Sequence, residues 1–70
     1  MKFINTEKLV SKLVKEDVLE KELDKKIGAE ENFTHFLCEG KLNPTIEEVK
    51  KIVNALDLNA QETYEIFFDI

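Results

Sequence analysis

Gly28, Gly40 and Pro44, with the interruptions at Asp17 and Asp57, cut this chain into segments that suit short helices. Apolar residues between these breaks recur three and four positions apart, the spacing of one helical face. Alternation over four or more residues, the mark of a half-buried strand, is not evident. The pattern predicts a bundle of short helices with minimal strand content.

The segments follow from their caps and stripes. After Met1-Lys2-Phe3-Ile4, which reads as extended, Asn5 or Thr6 can cap a first helix, with Leu9, Val10, Leu13 and Val14 facing inward. Asp17 interrupts it. A second helix aligns Leu19, Leu23 and Ile27, and Gly28 is a natural left-handed stop. A third runs from Glu30 to Glu39, with Phe33 and Leu37 one turn apart. Lys41-Leu42-Asn43-Pro44 is a turn, because proline disfavours helical geometry at the residue before it. Thr45-Ile46-Glu47-Glu48 is a capping-box sequence opening a fourth helix on Val49, Ile52, Val53 and Leu56. Asn59 and Glu62 open a fifth in the same way, through Tyr64 and Phe67.

Size and charge limit what such a bundle can do. Seventy residues make one domain, covering 1–70, with a modest core. The single cysteine excludes an internal disulfide and weighs against a four-ligand zinc site. No apolar run is long enough to span a membrane or serve as a secretory signal, so a cytoplasmic location is expected. The net charge of −5 is unevenly divided. Residues 1–28 hold seven lysines and six acids, for +1; residues 29–70 hold three lysines and nine acids, for −6. A polyanion would prefer the first half.

Five short helices with tight turns around the central pair form a known order. Glu22-Leu23-Asp24-Lys25-Lys26-Ile27-Gly28 is followed, after eleven residues, by Gly40-Lys41-Leu42-Asn43-Pro44-Thr45. This stretch, and Val18 to Phe67 around it, resembles the Cro and phage-repressor (Xre-type) helix-turn-helix family. The resemblance implies a five-helix, lambda-repressor-like bundle with a helix-turn-helix at residues 19–39. It also implies a small DNA-binding transcriptional regulator of phages or mobile elements, with the third helix in the major groove. Glu30, Glu31, Asn32, His35 and Phe36 would then meet bases and phosphates, with Lys21 and Lys41 beside them. Asn32 suits adenine, whereas Glu30 and Glu31 would be repelled by phosphate, and the absence of arginine removes the commonest guanine contact. Glu20 stands where the family often has glutamine, and Asp24 where it has a small alanine.

Each of these residues also has a structural reading. Glu30 and Glu31 suit the first turn of a helix, where acids complement the dipole. Asp24 can rotate toward solvent, Phe36 is expected to be exposed, and Cys38 to be an apolar filler. Lys8, Lys12 and Lys15 on the first helix and Lys21, Lys25 and Lys26 on the second form either a phosphate-positioning rim or a solvated face balanced by Glu16, Glu20 and Glu22. Nothing places His35 beside the one serine, Ser11, so no enzyme is expected, and no cofactor or metal.

Two functions stand at this point: a DNA-binding regulator, or the same fold turned to protein binding through an acidic, Phe-bearing third helix. The expected core is Leu9, Leu13, Leu23, Ile27, Phe33, Leu37, Val49, Ile52, Val53 and Leu56. Tyr64, Ile66, Phe67, Phe68 and Ile70 crowd the last helix. They suggest a homodimer interface at Tyr64, Phe67 and Phe68, with Phe3 and Ile4 alongside as a short extended pair. The other reading is that these aromatics close the bundle's own end.

Overall fold

The computed structural model describes residues 4–68. Over that span the chain forms α1 (Thr6–Lys15), α2 (Glu20–Ile27), α3 (Phe33–Cys38), α4 (Ile46–Leu56) and α5 (Ala60–Thr63). A π-helical turn, Tyr64–Phe68, continues α5, and no strand occurs among the described residues. The fold is all-α.

The caps explain where the helices begin and end. Asn5 accepts from the Lys8 N–H at 3.1 Å, so it rather than Thr6 caps α1. Both capping boxes form: Thr45 with Glu48 opens α4, and Asn59 with Glu62 opens α5. Gly28 closes α2 at φ 67°, in the left-handed region where a Cβ is penalised. Asp17 and Asp57, at φ 57° and 52°, take the same conformation after α1 and α4.

The core gathers Leu9 and Leu13 of α1, Leu23 and Ile27 of α2, Leu37 of α3, and Val49, Ile52 and Leu56 of α4. α2 packs on α3 and α4, while α1 packs on α3 and on the π-helical turn. Phe33 and Val53 are half-buried against this cluster. Ile4, Leu58, Ile66 and Phe67 complete it, beyond the ten residues of the expected core. The Asn5 N–H donates to the Ile66 carbonyl at 2.6 Å, which fixes the residue before α1 against the C-terminal turn. Phe3 and Ile70 lie outside the described residues.

Three expectations change. Val10 and Val14 do not face inward; Val14 is 75% exposed, because Leu9 and Leu13 alone fill the line along which α1 meets its neighbours. Leu19 is not part of the α2 stripe but its exposed N-cap, whose N–H donates to Glu22 Oε1 at 3.0 Å. α3 begins at Phe33 rather than Glu30. Glu30 and Glu31 therefore lie in the preceding turn, and the helix-dipole explanation does not apply to them.

α1 is tied to the C-terminal segment by charge as well. Lys12 Nζ lies 2.7 Å from Glu62 Oε2 and 3.6 Å from Glu16, and Lys8 lies 3.6 Å from Glu65. The hydrogen bond with Glu62 raises the Lys12 pKa, and its counterpart lowers that of Glu62.

Two tests follow from this packing. Leu23→Ala or Ile52→Ala, both at 0% exposure, should cost about 2–5 kcal/mol in urea unfolding. A loss below about 1 kcal/mol would contradict the packing. The Lys12–Glu62 pair should stabilise the fold above the carboxylate's unfolded pKa, and that contribution should fade as pH falls through Glu62's lowered value. The lysine side of the pair holds below the unfolded lysine pKa and fades as pH rises through its raised value. Glu62→Gln should remove this acid-side loss from a melting-temperature profile against pH, leaving the other carboxylates' contribution.

Candidate functional site

A carboxylate organises the turn between α2 and α3. Asp24 follows Leu23 on the inner side of α2 and is only 6% exposed, so the expected rotation toward solvent does not occur. Its Oδ1 accepts from the Thr34 N–H at 2.8 Å and the Thr34 hydroxyl at 2.6 Å, and its Oδ2 accepts from the Asn32 N–H at 3.1 Å. The Asp24 carbonyl also takes the Ala29 N–H at 2.9 Å. The side chain thus meets the free N–H groups at the start of α3, as a capping residue would, but from the neighbouring helix. Asn32 turns the chain into α3 at φ 70°, a conformation asparagine tolerates better than most residues. Thr34 is fully buried, with its hydroxyl satisfied by Asp24.

This clamp leaves one side of α3 open. Glu31, Asn32, His35 and Phe36 are exposed, as are Lys21 on α2 and Lys41 beyond α3. The Asn32 side chain makes no hydrogen bond among the described residues. His35 is engaged at both ring nitrogens: Nδ1 lies 3.3 Å from Glu20 Oε1 and Nε2 lies 3.4 Å from Glu39 Oε2. Lys41 pairs with the same Glu39 at 3.3 Å. Phe36 sits beside His35, with ring centroids 5.7 Å apart. The open face therefore combines one unengaged amide and one aromatic with three carboxylates, Glu20, Glu31 and Glu39.

The expected lysine rim is divided. Lys8 and Lys12 are held by Glu65 and Glu62, whereas Lys15 on the same helix carries no ion pair among the described residues. Lys21, Lys25 and Lys26 on α2 carry no ion pair among the described residues. Cys38 is half-buried, and burial, reinforced by Glu20, pushes its thiol pKa up to about 11. It is protonated and unreactive at neutral pH, in keeping with a filler. No group of three or more His, Cys, Asp or Glu residues is placed to hold a metal ion among the described residues.

At the C-terminal end Tyr64 and Phe68 are exposed, whereas Phe67 is 4% exposed and belongs to the chain's own core. Phe67 closes the bundle's own end, the other reading of these aromatics, and exposes little surface for an interface. Phe68 instead borders a groove of about 320 Å³ lined by Ile4, Pro44, Ile46, Val49 and Phe67. The Asp24–Thr34 clamp was the feature hidden from sequence reading. Its one available signal was a carboxylate placed next to Leu23 on an otherwise apolar side.

Thr34→Val keeps the shape of the side chain and removes one hydrogen bond to a charge. It should cost about 1.5–3 kcal/mol in urea unfolding. Asp24→Ala strands three donors, so it should cost more and speed hydrogen exchange at the Asn32 and Thr34 amides. An Asp24→Ala protein with parental stability and parental exchange at both amides would remove the clamp's structural role.

Comparison of the chain with family models, with curated proteins and with solved structures finds no match.

Proposed function

We propose that the chain is a small DNA-binding transcriptional regulator, acting in the cytoplasm and similar to Cro and Xre-type repressors, that places α3 in the major groove. The observation that carries this reading is the buried Asp24 clamp. It sets the start of a six-residue helix rigidly against α2 while leaving Asn32, His35 and Phe36 outward. Asn32 is free to pair with adenine, and Lys21 and Lys41 flank it to position phosphates. Recruiting His35 or Lys41 to DNA requires breaking contacts with Glu20 and Glu39. Those same carboxylates, with Glu31, favour a second reading. In it, the acidic, Phe36-bearing face captures a protein, as an antirepressor, inhibitor or co-regulator.

A homodimer suits the regulator, because a two-fold pair would present two α3 helices to a palindromic site. Support for it comes from the adjoining apolar groove and the exposed rings of Tyr64 and Phe68. Sedimentation at micromolar concentration should show a dimer that Phe68→Ala dissociates. A parental monomer, or an unchanged variant dimer, would reject the pairing.

Fluorescence anisotropy on the DNA upstream of the chain's own gene, at low and moderate salt, tests the main reading. Binding is expected, weakening as salt rises. Asn32→Ala should selectively erode preference at an adenine, by about 1–3 kcal/mol, while Lys21→Ala should weaken all sequences alike. Glu31→Lys should raise general affinity and blur specificity. A parent that binds no DNA at low salt, with binding gained only when Glu30 and Glu31 are both replaced, would transfer the assignment to protein capture.

A further inference from the structure

Unpaired positive charge among the described residues is not confined to Lys21 beside α3. Lys8 and Lys12 are neutralised by the C-terminal segment and Lys41 by Glu39. Lys25 and Lys26 on α2, and Lys50 and Lys51 on α4, have no carboxylate at ion-pairing distance among the described residues. α2 and α4 pack against each other, and between them lies a shallow depression of about 450 Å³ lined by Lys26, Ile27, Lys51, Asn54 and Ala55. No carboxylate lines it. Glu22, one turn before Lys26, is occupied in capping the Leu19 N–H; Glu47, one turn before Lys51, is the nearest uncommitted acid along that helix.

We infer that this α2–α4 depression is a contact site for nucleic-acid phosphate, separate from the α3 face. The chemistry is that of phosphate positioning. Two ammonium groups from different helices and the Asn54 amide supply donors around a small apolar floor made by Ile27 and Ala55. In a chain of net charge −5, two unpaired lysines attract strongly only a ligand of dense negative charge. A duplex, with one charge per about 1.7 Å of axis and a condensed counterion layer, is such a ligand. An acidic peptide, with sparser charge and no comparable counterion release, is not.

Amide chemical-shift mapping of the whole chain at low salt tests the site. The probes are a short mixed-sequence DNA duplex and, in parallel, a glutamate-rich peptide of equal charge. The duplex is expected to shift Lys26, Ile27, Lys51, Asn54 and Ala55. Lys26→Gln/Lys51→Gln should retain the fold, weaken duplex binding about tenfold, and lower the log-affinity against log-salt slope by about 1–2, at about 0.9 per phosphate lost. No duplex shift at these five residues, an unchanged slope in the double variant, or a response to the peptide alone would each overturn the site. Shifts at residues 31–36 without the depression would leave the α3 reading standing and the present inference refuted. Shifts in the depression without α3 would do the reverse.

Discussion

A single buried carboxylate sets the geometry of α3, the helix that carries the candidate site. Asp24 lies on the core-facing side of α2, where an apolar residue would ordinarily add to the hydrophobic cluster, and instead receives three hydrogen bonds from Asn32 and Thr34. Burying a carboxylate is tolerable only when its oxygens are hydrogen-bonded, and both oxygens of this one are. Each donor it satisfies is a group that the short α3 could not satisfy by itself. A six-residue helix has little intrinsic stability. Its position therefore depends on its packing against α1 and α2 and on this clamp, and the outward placement of Asn32, His35 and Phe36 depends on both.

Part of the chain's charge is spent on contacts within the fold. The α1 lysines join the first helix to the last segment, and His35 and Lys41 are drawn into a carboxylate cluster spanning the start of α2 and the end of α3. These exposed pairs each contribute little to stability. Their larger effect is on what remains available to a ligand: the amide of Asn32, the ring of Phe36, and the lysines of α2 and α4.

Much of the fold was legible because its signals are local. The Thr45/Glu48 and Asn59/Glu62 boxes, the Gly28 stop and the α4 stripe each depend on residues within one or two turns, and each forms as the spacing implies. The failures were tertiary. Val10 and Val14 read as core, but α1 buries a narrower line than its composition offers. Asp24 reads as solvent-facing on polarity alone, because its partners lie eight and ten residues ahead, across a turn. α3 starts at Phe33, after the left-handed Asn32, rather than at Glu30, so the acidic pair lies before the helix instead of in it. The candidate face was legible as a set of residues. Its electrostatics were not, since the contacts of His35 with Glu20 and Glu39 require the folded arrangement.

The hydrogen bond from the Asn5 N–H to the Ile66 carbonyl joins segments separated by nearly the whole chain. Closing so long a loop carries a conformational cost that local helix contacts do not. The seam between α1 and the π-helical turn is thus a natural place for the fold to open before the rest of it does. Opening there would release Ile4, Ile66 and Phe67 together, since all three are buried in that region. The groove beside Phe68 borders the same seam. Its walls include Ile4 from one end of the chain and Phe67 and Phe68 from the other, so separation of the two ends would also take the groove apart.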